Sequence, residues 1–250
     1  MTYFTYQSKQ IYFEEIGNGA PLLMLHGNTA SAKMFDLLLP LYTEQFRVIL
    51  IDFLGNGRSE RIEAFPKDLW YDQSLQVIAL LEHLGYDKVN LLGTSGGAWT
   101  AINAALERPD LIDKIVADSF DGRSLNKHFS ENLIADRAFA RQDTMSRQFY
   151  EWCQGDDWET IVDLDTEILI DYQKENIPPL HQPIEKLQLP VLLIASKEDA
   201  LLRDDIEEEF REICALLPNA ESHVFPTGGH PAIATNAEET AALVRNFVIC

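Results

Sequence analysis

Gly93-Thr94-Ser95-Gly96-Gly97 sets a serine among small residues. An apolar run, 89–92, precedes it, and a helix-like run, 98–106, follows. A serine on a tight strand-to-helix turn needs small neighbours, because larger side chains would collide inside the turn. Gly96 also leaves its own N–H free to approach a reacting atom closely. Such a turn lifts the Ser95 hydroxyl above the sheet edge, where it is a candidate nucleophile. The bland reading is a glycine-rich loop with an incidental serine. A nucleophilic serine needs a base, and the base needs an orienting group. Two downstream loops offer them. Ser196-Lys197-Glu198-Asp199 follows the apolar run 190–195, and Pro226-Thr227-Gly228-Gly229-His230 follows 222–225. In a parallel sheet the carboxyl ends of strands face one rim, so Asp199 and His230 can meet Ser95 there. Asp118 and Asp121, after the preceding strand, are the rival acids. Glu198 points away if Asp199 points in. His26 reads as fixing its own loop, and His83, His128, His181 and His223 as packing or surface groups. There is no Walker A loop, dinucleotide fingerprint or His-Glu-x-x-His, so neither a cofactor nor a metal is expected.

These groups need a frame to bring them together. The stretches 2–6 and 10–16 read as paired strands. Further strands are expected at 21–25, 47–53, 89–92, 115–117, 190–195 and 222–225. Helical spacing runs over 68–84, 98–107, 204–217 and 237–248, and Ser31 is placed to cap a helix running toward Phe46. Strands alternating with helices imply a mainly parallel, twisted sheet covered on both faces, an α/β fold. The alternation breaks over 121–183, which is polar, aromatic-rich and helical in pattern. Phe129, Phe139, Phe149, Tyr150, Trp152, Trp158 and Tyr172 all lie there. The break implies an insertion sitting over one edge of the sheet.

The chain has 250 residues, of which 46% are hydrophobic and 24% charged. That suits one large domain with a substantial core. Its formal net charge of −20 repels phosphate backbones and anionic headgroups, so no nucleic-acid or membrane partner is expected. The acidic run 204–209 opens an expected helix, where carboxylates suit the positive end of the dipole. Cys153, Cys214 and Cys250 are sparse, without metal-like spacing, and read as free thiols of a reducing compartment. Residues 1–10 carry no basic segment followed by an apolar core, and the expected location is cytoplasmic. Oligomeric state is not readable.

With these motifs in hand, the chain resembles the α/β-hydrolase superfamily over nearly its whole length. That family uses the order nucleophile, acid, histidine, matched here by Ser95, Asp199 and His230. The resemblance implies oxyanion donors at the backbone N–H groups of Asn28, after His26-Gly27, and of Gly96. It implies a core formed by 1–120 and 184–250 and a helical cap formed by 121–183. Asp52-Phe53-Leu54-Gly55-Asn56-Gly57-Arg58-Ser59 looks like a structural loop of the family. Ser196 departs from the glycine the family often has before the acid. The implied activity is that of a cofactor-independent serine hydrolase, an esterase, cleaving a small ester or related acyl compound through an acyl-enzyme at Ser95. The same triad serves carbon–carbon bond hydrolases, aminopeptidases, perhydrolases and lactonases. A ligand-binding protein without turnover is the reading from another class. A small, neutral, partly apolar substrate is expected, unless Arg123, Lys127, Arg137, Arg141 or Arg147 in the insertion points inward toward a carboxylate.

Overall fold

A computed structural model describes residues 2–249. Eight strands form one sheet: β1 (Thr2–Tyr6), β2 (Lys9–Gly17), β3 (Ala20–Leu25), β4 (Phe46–Asp52), β5 (Val89–Thr94), β6 (Ile112–Asp118), β7 (Val191–Ser196) and β8 (Ala220–Phe225). Their order is β1-β2-β4-β3-β5-β6-β7-β8. The β1–β2 and β2–β4 pairs are antiparallel, and the others are parallel. The apolar runs of β3 and β4 alternate between two cores. Leu23, Leu25, Ile49 and Ile51 pack on one face, and Leu22, Met24, Val48 and Leu50 on the other. Strands buried on both faces need no polar alternation, which is why these runs are continuously apolar.

Helices α1 (Leu69–Leu84), α2 (Gly96–Glu107), α6 (Ile206–Leu216) and α8 (Ala237–Ile249) follow the expected spacing. Between β6 and β7 lie α3 (Phe129–Ala140), α4 (Thr144–Gln154) and α5 (Trp158–Lys174), and a short α7 (Ala232–Thr235) follows the His230 loop. Tyr150, Trp158, Ala140 and Val162 form a small core within the three helices, and Tyr172 is fully buried. Phe139, Met145 and Trp152 stay exposed.

The helix expected after Ser31 does not form. Two short 3₁₀ turns, Ala32–Phe35 and Leu39–Leu41, take its place. Pro40 supplies no N–H to continue a helix. Ser31 makes no capping bond and donates instead to the Cys153 carbonyl at 2.9 Å. The Asp52 carboxylate accepts the Ala32 N–H at 2.7 Å and also pairs with Arg58. The loop after β4 is therefore a brace.

Further bonds fasten the α3–α5 segment to the sheet body. At the α4–α5 junction Arg61 pairs with Asp157, and Gln154 bonds Ala30, Asn56 and Gly57. Tyr172 in the last turn of α5 and His181 beyond it both reach Asp68. Cys153 is buried, and burial pushes its thiol up to about 11, so it is unreactive at neutral pH. Cys250 lies outside the described residues. No helix among the described residues is long and apolar enough to cross a membrane.

Candidate active site

Ser95 ends the turn between β5 and α2 with φ 56° and ψ −124°. Side-chain-bearing residues rarely adopt that conformation. The turn is clamped by the Ser95 N–H donating to the Asp118 carbonyl at 2.7 Å. A Cβ at Gly93 would overlap Gly97, and one at Gly97 would overlap the Leu25 and His26 carbonyls. Only glycine lets α2 start so close to β3 and β5.

The structure brings the expected acid and base together. His230 Nδ1 lies 2.7 Å from Asp199 Oδ2, and the Asp199 side chain is fully buried. A carboxylate accepts, so Nδ1 carries the proton and Nε2 keeps its lone pair. The other Asp199 oxygen accepts the Leu201 N–H at 3.0 Å. Ser95 and His230 both line one cavity of about 690 Å³ beneath α3 and α4. Ser196 explains its own departure from glycine. Its hydroxyl accepts Asn236 Nδ2 at 3.0 Å, and the same nitrogen donates to the Thr227 carbonyl at 3.1 Å. The acid loop and the histidine loop are thereby tied together.

The rival acids do other work. Asp121 accepts from Asn126 and from the Arg203 N–H, tying its own loop to the one after β7. Asp118 is fully buried, accepts from Ser119 Oγ at 3.1 Å, and is pushed by burial up to about 7. Glu198 braces the Gly228 N–H at 3.2 Å. His26 bonds the Gly27 carbonyl at 2.8 Å and the Phe53 N–H at 3.1 Å. Burial lowers its affinity for a proton, so it stays neutral and fixes its loop. His83 packs on Phe4, His223 on Phe225, and His128 pairs with Glu131. His181 stacks on Tyr71.

The Asn28 side chain packs on Gly96, the residue after the serine. Gly96 opens α2, where the first N–H groups have no acceptor within the helix. Gly27 lies against Ser95, since a Cβ there would sit 3.0 Å from the Ser95 Cβ. Asn28 follows directly and lines the same cavity.

Burial draws the His230 pKa down. The hydrogen bond and charge of Asp199 outweigh it, with Asp118 and Asp136 adding to them, and leave the imidazole above its ordinary 6.5. A base must be neutral, so the acid limb of kcat/KM should lie above pH 6.5. Asp118→Asn removes a neighbouring negative charge, which lowers the His230 pKa. The limb should then move to lower pH, with kcat above the limb within about threefold of wild type. Asp118 is itself pushed up and interacts with His230, so the limb belongs to the pair. A pH–rate profile that does not move would remove Asp118 from the electrostatics of the base.

A doubly covered, mainly parallel sheet that lifts a serine at a strained turn, with an Asp–His pair on the same rim, defines the α/β-hydrolase architecture. The alpha/beta hydrolase fold family matches residues 20–166, more than half of the chain, and the chain belongs to that family. It is 32% identical to an uncharacterised hydrolase of Bacillus subtilis over 117 residues, 45% of this chain and 42% of the other. It is 34% identical to a soluble epoxide hydrolase of Corynebacterium sp. over 107 residues, 42% of this chain and 36% of the other. These matches span less than half the length of either relative. A solved meta-cleavage product hydrolase from Pseudomonas fluorescens superposes with a TM-score of 0.79 at 21% identity, covering 99% of this chain and 97% of that one.

Sequence reasoning missed two contributors: Asp165 and Trp70 bind the Asn28 side chain. Arg137, one of the cations expected to be able to point inward, lines the cavity. Neither Asp165 nor Trp70 stands in a motif. Both lie far from Asn28 along the chain, so only the folded structure reveals them.

Proposed function

We propose that the chain is a cofactor-independent serine hydrolase that cleaves a small ester or related acyl compound, with 121–183 as its cap. The observation that carries this is the buried Asp199–His230 hydrogen bond opening on the cavity that holds Ser95. His230 Nε2 takes the Ser95 proton as Oγ attacks the carbonyl carbon. The Asn28 and Gly96 N–H groups receive the oxyanion. His230 then protonates the leaving group, and water repeats the cycle on the acyl-enzyme. Asp199 holds the imidazole tautomer throughout.

The nucleophile's chemistry favours acyl transfer over opening of an epoxide, the activity named for one relative. Serine attack on a saturated carbon leaves an ether, which water does not cleave under these conditions. Attack on a carbonyl leaves an ester, which water cleaves readily. Carbon–carbon bond cleavage, as the name of the superposed meta-cleavage product hydrolase suggests, uses the same groups and is the second reading. Labelling by a fluorophosphonate probe, then a panel of esters, amides and diketones, tests the proposal. Ser95 labelling with ester turnover is expected. Absence of labelling would refute the serine mechanism, and turnover of diketones alone would replace the ester reading.

The cavity wall favours a neutral substrate. Arg137 is the inward arginine, but it bonds Asp136 at 2.8 Å and Asp165 at 3.4 Å. Its charge is already matched, and Glu198 adds another carboxylate to the lining. Matched neutral and carboxylate-bearing esters should therefore differ in kcat/KM, the neutral one being ahead by on the order of tenfold at low salt. Added salt should narrow the gap. An anionic ester preferred at every salt concentration would show Arg137 free to bind it.

A further inference from the structure

Asn28 is held from two sides by its side chain. Nδ2–H donates to Asp165 Oδ2 at 2.7 Å, and Oδ1 accepts Trp70 Nε1–H at 3.0 Å. The same amide rests on Gly96, because a Cβ at Gly96 would overlap both Asn28 Oδ1 and Trp70 Nε1. The side chain of one oxyanion donor residue thus packs on the Cα of the other. The next residue, Thr29, has φ 59°, an uncommon conformation for a β-branched residue that the surroundings must impose.

The partners are themselves fixed. Asp165 lies on α5 and is 3% exposed. Its second oxygen faces Arg137 Nη2 at 3.4 Å, and Arg137 Nη1 donates to Asp136 at 2.8 Å and to Tyr150 Oη at 3.0 Å. Trp70 is 1% exposed and packs against Trp99 and Tyr172. A charge-assisted bond to a buried carboxylate is short and directional. It is well suited to fixing one amide plane.

We propose that Asp165 is a positioning residue: from the inserted helices it sets the Asn28 side chain, and through it the spacing of the Asn28 and Gly96 N–H donors. The inserted segment then completes the oxyanion pocket as well as covering the cavity. Lifting α5 removes the acceptor of Asn28 Nδ2–H and lets the donor pair relax. This rests on the serine-hydrolase reading above.

The test separates transition-state from ground-state binding. Turnover of p-nitrophenyl butyrate is measured beside two inhibitors of one carbon skeleton. An aryl trifluoromethyl ketone forms an oxyanion when Ser95 adds to it, and the matching alcohol forms none. Asp165→Ala should lower kcat by about 10- to 100-fold, as a misplaced donor does. KM should stay within about threefold, because the substrate's own contacts persist. Ketone affinity should fall with kcat/KM, and alcohol affinity should not move. Asp165→Asn keeps an oxygen for Asn28 Nδ2–H and should recover most of the loss. Trp70→Phe removes the other tether alone and should give a milder loss of the same kind, which carries the test if Asp165→Ala folds poorly. Arg61→Ala cuts the separate anchor to Asp157 and the Gln154 carbonyl, and should spare the ketone-to-alcohol ratio. Unchanged kcat in Asp165→Ala, or equal losses for ketone and alcohol, would overturn the inference while leaving the hydrolase reading intact. A wild-type protein that neither turns over the ester nor labels at Ser95 would overturn both.

Discussion

Ser95→Ala is expected to lose on the order of 10⁶ in kcat, as triads that act as a unit do when the nucleophile goes. The fold should persist. Ser95 is only partly buried, no core cluster includes it, and alanine keeps the backbone bond from residue 95 to the Asp118 carbonyl. The melting temperature should therefore move by no more than about 2 °C. Initial rates on a p-nitrophenyl ester, with an active-site titration to exclude wild-type contamination, decide the matter. Turnover above about a tenth of wild type would end the serine mechanism, because no other side chain is then being replaced.

Asp199→Asn is the second large effect, near 10⁴ in kcat by comparison with other triads. Asparagine fits the same volume, and its oxygen can still accept the Leu201 N–H. Its amide nitrogen, however, donates, and a donor facing His230 Nδ1 favours the tautomer with the proton on Nε2. That imidazole cannot accept the Ser95 proton. Asp118→Asn and Asp121→Asn are the controls. Asp121 bonds Asn126 in its own loop and Arg203 in the loop after β7, so its loss should affect stability more than rate. If either control is crippled while Asp199→Asn is nearly normal, the acid has been misassigned.

The sheet was legible because burial on both faces leaves a plain mark. The strands β3, β4 and β7 carry unbroken apolar stretches bounded by polar or turn residues. The elbow was legible because its geometry tolerates few residue types, and Asp199 and His230 because strand ends in a parallel sheet converge. The helix expected after Ser31 failed for a local reason, Pro40, and a distant one. Asp52 takes the capping role, and no spacing near Ser31 announces it. The Asn28–Asp165 bond was invisible for the same cause. A hydrogen bond between residues 137 positions apart leaves no periodicity, and asparagine and aspartate are ordinary residues in a loop and a surface helix. What sequence patterns report is burial and local backbone. Side-chain networks that cross the fold report only through coordinates.

The backbone at Ser95 also bears on what a serine gains by standing there. With φ 56° and ψ −124°, residue 95 occupies a region where a side chain is strained by about 1–3 kcal/mol and glycine is not. Glycine at residue 95 would relax the turn while emptying little space, and Gly96 and Gly97 already stand next to it. A site that only binds a ligand gains nothing from the strained alternative. What the strain secures is a hydroxyl held at the sheet rim. The conformational cost of the turn thus weighs against a purely binding role, independently of the histidine and the acid.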